Sequence, residues 1–134
     1  MTTNRASVRR DVRIRRPAEE VWELAGDPAR VHEWFPGITS CSVQGDERMI
    51  TTAGGQEINE RILTLDPLQR RFQHETNWPL CRQHLGTLDV LELDEGSCLV
   101  VYGTDAEPAT MALVIAGATG AALGRLRNLI EGGG

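Results

Sequence analysis

Two periodicities divide this chain of 134 residues. Alternating apolar and polar positions, typical of strands, mark residues 8–15 and return after residue 37 in several short runs. Glycine, proline and aspartate separate these runs, and the short breaks favour antiparallel neighbours. The predicted strands are 8–15, 38–44, 47–52, 56–65, 70–77, 82–93 and 97–105.

Helical signals lie on either side of the later strands. Pro17 suits the first turn of a helix, and Asp27-Pro28 repeats that signal for a second short helix ending near Trp34. The segment 107–131 carries an apolar stripe at helical spacing, made of Met111, Ile115, Ala118, Ala122, Leu126 and Leu129. A meander of this size buries one long amphipathic helix by curving around it. We therefore predict one α+β domain over 1–134, with its core at 8–131 and a curved, seven-stranded antiparallel sheet.

Composition limits the possible settings of the protein. Hydrophobic residues make up 40% of the chain and charged residues 25%, which is typical of a globular protein. No apolar run reaches the roughly 18 residues of a membrane span, and the start lacks the apolar core of a signal peptide. The three cysteines are widely spaced, and the histidines lack metal-binding spacing. We expect a cytoplasmic protein with no integral membrane segment, no disulfide, no metal and no cofactor.

The charge distribution bears on possible macromolecular partners. A net charge of −5 argues against nucleic acid. Arginines nevertheless crowd the first predicted strand, as either a phosphate-binding stripe or a solvated strand face: Arg9, Arg10, Arg13, Arg15 and Arg16. We favour the solvated face, because acidic residues elsewhere balance these charges.

Two polar residues interrupt the apolar faces of neighbouring strands. Glu60 shares the apolar face of strand 56–65, and His74 shares that of strand 70–77. The other members of these faces are Ile58, Ile62, Phe72 and Thr76, followed by Trp78. The short turn between the strands allows two registers, in which Glu60 is either directly opposite His74 or its diagonal neighbour. Both registers predict a Glu–His contact on the concave face.

Three interpretations of this pair stay open. Glu60 and His74 satisfy each other as a buried polar pair, anchor a ligand, or act as acid and base. We expect burial to raise the pKa of the glutamate, and the carboxylate to raise that of the histidine, so that they exchange a proton near neutral pH. His84 joins them if strand 82–93 turns its even positions inwards. Tyr102 lies on a strand that is apolar on both faces, so the pattern leaves its direction open.

Three sequence segments carry a family resemblance. They are Pro-Ala-Glu-Glu-Val-Trp at 17–22, Trp-Phe-Pro-Gly-Ile at 34–38, and Glu-Arg-Ile at 60–62 followed by Leu65-Asp66. In this order they resemble the SRPBCC superfamily of START-like and polyketide cyclase/dehydrase-like proteins. The resemblance implies a helix-grip fold with a cavity between the sheet and the last helix. It also implies that Glu60 and His74 line the cavity, with a mouth near 34–37 and 78–80. Hormone sensing is not implied, because the gate and latch signatures of the related receptors are absent.

Three functions follow as hypotheses. The first is binding or transport of a small hydrophobic molecule, such as a lipid or polyketide-like metabolite. The second is a cyclase, aromatase or dehydratase with Glu60 and His74 as acid and base and Tyr102 assisting. The third is a protein-binding module of the chaperone-activator kind. The predicted ligand-binding residues are Trp34, Phe35, Ile58, Glu60, Ile62, Phe72, His74, Thr76, Trp78, His84, Met111 and Ile115.

Overall fold

A computed structural model describes residues 4–132. Its strands are β1 (Ala6–Ile14), β2 (Ile38–Gln44), β3 (Glu47–Thr52), β4 (Glu57–Asp66), β5 (Arg71–Thr76), β6 (Gln83–Asp94) and β7 (Ser97–Glu107). Its helices are α1 (Ala18–Ala25), a 3₁₀ helix (Pro28–Glu33) and α2 (Ala109–Gly132). The strands form one antiparallel sheet in the order β1-β7-β6-β5-β4-β3-β2. The predicted α+β architecture, with two short helices after the first strand, is confirmed.

The two short helices form where the sequence signals place them. Glu19 and Glu20 lie in the first turn of α1, where the helix dipole favours negative charge. The Asp27 carboxylate accepts a hydrogen bond from the Ala29 N–H at 2.9 Å and so caps the 3₁₀ helix. The Asp27 cap thus helps to hold the 3₁₀ helix that leads into the loop at 34–37.

The long helix α2 packs against β1 and β7. Its buried side chains are Ala112, Ala116, Thr119, Ala122, Leu123 and Leu126. The predicted stripe is therefore only partly right: Met111 and Ile115 are half-buried, while Ala118 and Leu129 are exposed. Periodicity identifies an apolar face, but the buried face is rotated from the predicted one. Ala112, Ala116 and Thr119 take the interior positions expected for Met111, Ile115 and Ala118.

The same helix is long and apolar enough to span a membrane by length and composition alone. Core helices of soluble folds pass that test too. Six side chains of α2 are buried within this fold. We therefore describe α2 as its core helix.

The register between β4 and β5 decides which polar side chains meet. Glu60 pairs with Thr76 and Ile62 with His74, so Glu60 and His74 are diagonal neighbours. Of the two predicted registers, the structure has the diagonal one. A bulge then shifts the pairing, so that Thr64 pairs with Gln73 and donates to its side-chain oxygen at 2.9 Å. The pairs that contain Glu60, Thr76 and His74 all lie on the far side of this bulge from the turn.

Candidate functional site

A cavity of about 240 Å³ lies between the concave face of the sheet, the loop after the 3₁₀ helix, and α2. At about 30 Å³ per molecule of liquid water, this volume matches roughly eight waters. Its walls are mostly apolar, with a polar patch on β3 to β7. The lining residues are Val31, Phe35, Pro36, Gly37, Ile38, Arg48, Ile50, Thr52, Ile58, Glu60, His74, Thr76, Trp78, His84, Tyr102 and Ala118.

The polar patch begins with a buried ion pair. Arg48 and Glu60 are cross-strand partners with side chains only 3% and 5% exposed. Arg48 Nε donates to Glu60 Oε1 at 2.6 Å, and Nη1 donates to the Pro28 carbonyl at 3.1 Å. The guanidinium also lies 5.0 Å from the centre of the Phe72 ring, within cation–π range. This arrangement fixes the Glu60 carboxylate in one orientation.

Sequence reasoning did not include Arg48 in the site. The signal was present, because Arg48 and Ile50 are two residues apart in a predicted strand and therefore share a face. An arginine next to an inward-facing isoleucine needs a buried acceptor, and Glu60 lies on the next strand. The same alternation test that selected Glu60 thus applies to Arg48.

A chain of hydrogen bonds continues from Glu60 to Tyr102. Thr76 Oγ1 donates to Glu60 Oε2 at 2.6 Å, so its oxygen is left to accept from His74 Nδ1 at 3.1 Å. His74 Nδ1 also lies 3.3 Å from Glu60 Oε2. With the proton on Nδ1, the Nε2 lone pair accepts from the Tyr102 hydroxyl at 2.9 Å. The donors and acceptors of this chain, from Arg48 to Tyr102, are mutually consistent.

Burial and charge set the protonation states of this chain. Burial alone raises the pKa of Glu60, but the charges of His74 and Arg48 and the hydrogen bonds from Thr76 and Arg48 bring that pKa below its ordinary value. Burial lowers the pKa of His74 to about 4, with Arg48 adding to the effect and Glu60 opposing it. Burial, with the Glu60 charge, raises the pKa of Tyr102. At neutral pH the chain therefore holds an ionised Glu60, a neutral His74 and an intact phenol.

These directions correct our expectation from the sequence. We expected raised pKa values for both Glu60 and His74, and both are lowered. For His74 the reason is burial, to which the charge of Arg48 adds. For Glu60, the charges of His74 and Arg48 and the hydrogen bonds from Thr76 and Arg48 outweigh the effect of burial. Glu60 therefore holds a constant negative charge and is not a proton donor near neutral pH.

His84 and Trp78 complete the polar side of the cavity. The His84 ring lies edge-on to His74, with 5.9 Å between ring centres. Its Nδ1 and the Trp78 Nε1 are buried and have no hydrogen-bond partner among residues 4–132. Burial lowers the pKa of His84, which keeps its ring neutral at neutral pH. Even-numbered positions of β6 therefore face inwards, as the predicted phase requires.

The structure brings most of the predicted site residues together. Eight line the cavity: Phe35, Ile58, Glu60, His74, Thr76, Trp78, His84 and Tyr102. Five do not: Trp34, Ile62, Phe72, Met111 and Ile115. Trp34 and Phe72 are buried behind the wall, where Trp34 packs 6.3 Å from the Tyr102 ring centre. Met111 and Ile115 are excluded because α2 reaches the cavity only at Ala118.

Gly86 makes room for the histidine ring. It is the β6 partner of His74, and a Cβ at this position would lie 2.6 Å from His74 Cε1. We predict that Gly86→Ala displaces the ring, breaks its bond to Tyr102 and costs about 1–3 kcal/mol of unfolding free energy. Urea unfolding measures this cost. Gly103→Ala in β7 is the matched control, because its Cβ would meet no atom nearer than 3.8 Å. Equal effects of the two substitutions would contradict the steric role of Gly86.

Solved structures share this fold. An uncharacterised protein from Bacillus thuringiensis superposes with a TM-score of 0.85 at 23% identity, covering 92% of this chain and 97% of that one. A norcoclaurine synthase mutant from Thalictrum flavum, bound to a transition-state analogue, gives 0.74 at 15% identity, covering 99% and 98%. The di-domain ARO/CYC protein BexL of the BE-7585A biosynthetic pathway gives 0.82 at 18% identity, covering 94% of this chain but 46% of BexL. At these identities the likeness establishes the fold alone.

Sequence comparison identifies the family. No curated protein sequence matches the chain. The family model described as polyketide cyclase / dehydrase and lipid transport matches residues 5–131. That match spans almost the whole chain and confirms the SRPBCC resemblance carried by the three sequence segments. The chain belongs to the polyketide cyclase / dehydrase and lipid transport family.

Proposed function

We propose that this protein binds a small, largely apolar molecule that carries a hydroxyl group. One observation carries the proposal: an apolar cavity of about 240 Å³ has a single polar patch, which is anchored by buried charges. The volume lies just below the ~300 Å³ lower end of typical ligand sites, which favours a compact molecule over a long-chain lipid. Apolar walls supply affinity, and the polar patch orients the ligand.

The direction of the hydrogen bonds specifies the polar group. With the His74 proton on Nδ1, Tyr102 gives its only proton to Nε2, so its oxygen can only accept a hydrogen bond from a ligand. An alcohol, phenol or enol can donate to that oxygen, whereas a ketone or ether cannot. His84 lies beside His74 and offers a second polar contact on the same wall.

The same chain of hydrogen bonds favours acid–base catalysis as a second candidate function. A ligand hydroxyl that gives its proton to the Tyr102 oxygen pushes the Tyr102 proton onto His74 Nε2. The imidazolium formed in this way is stabilised by the Glu60 carboxylate, 3.3 Å from Nδ1. In this proposal His74 is the base, Tyr102 relays the proton, and Glu60 stays ionised, in place of the acid–base pair of Glu60 and His74 first expected.

Binding of 2-naphthol and naphthalene tests the primary proposal. The two probes differ by one hydroxyl and are compact enough for the cavity. One net hydrogen bond is worth about 1 kcal/mol, so we expect 2-naphthol to bind roughly fivefold more tightly. Titration followed by the intrinsic fluorescence of the probes gives both Kd values.

Tyr102→Phe is the decisive variant for this comparison. It removes the accepting oxygen but leaves the aromatic wall, so naphthalene affinity should be unchanged and the advantage of 2-naphthol should disappear. Leu113→Ala, at an exposed position of α2 outside the cavity lining, is the control and should alter neither affinity. Failure of both probes to bind the unmodified protein would overturn the proposal.

A further inference from the structure

The sheet has a gap between β5 and β6 beside the polar patch. Their pairing ends at Glu75 with Leu85, although Thr76 and His84 would be the next pair in the same register. Thr76 remains paired with Glu60 on β4, and His84 with Ala106 on β7. The two strands therefore separate at this point while each stays attached to its other neighbour.

The loop that joins these strands is tied to the two sides of the gap. The Asn77 N–H donates to the Asn59 carbonyl at 2.9 Å, on the β4 side. The Arg82 N–H donates to the Glu107 carbonyl at 2.8 Å, on the β7 side. Neither bond crosses the gap, so the two ends of the loop are held on opposite sides of it.

A second depression lies on the outer face of the sheet over this gap. We call it the outer groove; it has a volume of about 600 Å³ and is lined by charged residues that include Arg61, Glu75, Arg82 and Asp105. Arg61 and Glu75 form an exposed ion pair at 3.8 Å. Such a surface retains water, in contrast to the apolar walls of the cavity.

Three residues line both the outer groove and the cavity: Glu60, Thr76 and His84. They stand at the gap, and each carries a polar group. The two compartments therefore meet at the polar patch, and their walls have opposite chemistry.

We propose that this gap is a polar passage through the sheet, which admits water and protons to Glu60 and His84 while an apolar ligand occupies the cavity. The proposal rests on the proposed function only for the identity of what fills the cavity. An apolar ligand displaces water from the apolar walls, but it does not displace water from the charged outer groove. The polar patch thus exchanges protons with solvent without release of the ligand.

Cysteine labelling tests the passage. In a background with Cys41→Ser and Cys81→Ser, single cysteines are placed at Thr76, which lines both compartments, and at Ile58, which lines only the cavity. The native Cys98 is retained because it is fully buried. The reagent is the anionic 2-sulfonatoethyl methanethiosulfonate, with naphthalene as the apolar occupant.

At a naphthalene concentration about ten times its Kd, only about one cavity in eleven is empty. Labelling of Ile58→Cys should therefore slow by roughly tenfold. Labelling of Thr76→Cys should keep its rate, because the reagent arrives from the outer groove. Equal protection of both cysteines, or an unreactive Thr76→Cys, would overturn the passage. His84→Cys repeats the measurement without removing the Thr76 hydroxyl from Glu60.

A separate outcome marks failure of the proposed function. If neither naphthalene nor 2-naphthol binds, the cavity has no apolar occupant and the primary proposal is wrong. The passage is then tested by the labelling rates of the two cysteines in the protein without naphthalene. There the anionic reagent should label Thr76→Cys faster than Ile58→Cys, and a faster reaction at Ile58→Cys would overturn it.

Discussion

Arg48→Met should lower the free energy of unfolding by about 3–5 kcal/mol, which is the usual cost of leaving one member of a buried ion pair without its partner. The Glu60 side chain is 5% exposed, so the little water that reaches it does not replace the charge of the guanidinium that neutralises it. The Pro28 carbonyl loses a donor at the same time. The midpoint of urea unfolding at pH 7 measures the effect.

A double variant separates the lost charge from the lost volume. Arg48→Met combined with Glu60→Gln leaves no unpaired charge, so it should recover much of the lost stability. Arg61→Met is the matched control, because its exposed pair with Glu75 contributes at most about 1 kcal/mol. If the double variant is no more stable than Arg48→Met, the unpaired carboxylate is not the cause.

Acidification should remove about 3 kcal/mol of stability between pH 6.5 and pH 4, through His74. Its pKa is about 4 in the folded protein, against an ordinary value of 6.5. Within that window the unfolded chain binds the proton and the folded chain does not. The contribution of His74 to stability is therefore complete above pH 6.5 and decreases as the pH is lowered toward 4. At 1.36 kcal/mol per pH unit, the shift of about 2.5 units gives this magnitude. Urea unfolding at successive pH values measures the slope.

His74→Gln should flatten this dependence without abolishing it. His84 and Glu60 also have lowered pKa values, so acidification lowers the free energy of unfolding through these two groups as well. An unchanged slope in His74→Gln would show that this histidine does not titrate as the buried environment requires.

The sequence predicted the Glu60–His74 contact because strand alternation has a period of two and the intervening turn is short. It did not predict which of the two registers forms, because the bulge between Ile62 and Thr64 has no clear signal in the residues around it. Nor did it predict the protonation states. Those depend on burial and on the charge of Arg48, which lies on a third strand and meets Glu60 only after the sheet has formed.

The helix shows a different limit. A helical period identified an apolar stripe on α2 but did not specify which strands the stripe would meet. Contact with β1 and β7 places Ala112 and Ala116 in the interior, while Met111 and Ile115 remain at its border. Most of the residues predicted on β4 to β7 therefore line the cavity, because alternation fixes the faces of a strand. Those predicted on α2 do not, and the lining residues of β2 and β3 were not predicted.

The first strand of the fold has one further consequence, for self-association. β1 ends the sheet, with β7 as its single neighbour, so its outer backbone groups offer a template on which another chain could add a strand. Its outward side chains Arg9, Asp11 and Arg13 are exposed. If two copies met edge to edge in antiparallel fashion about Asp11, Arg9 of each copy would stand opposite Arg13 of the other, and the two aspartates would face each other. Like charges placed across a strand pair repel. The arginine-rich strand therefore opposes growth of the sheet from one molecule into the next.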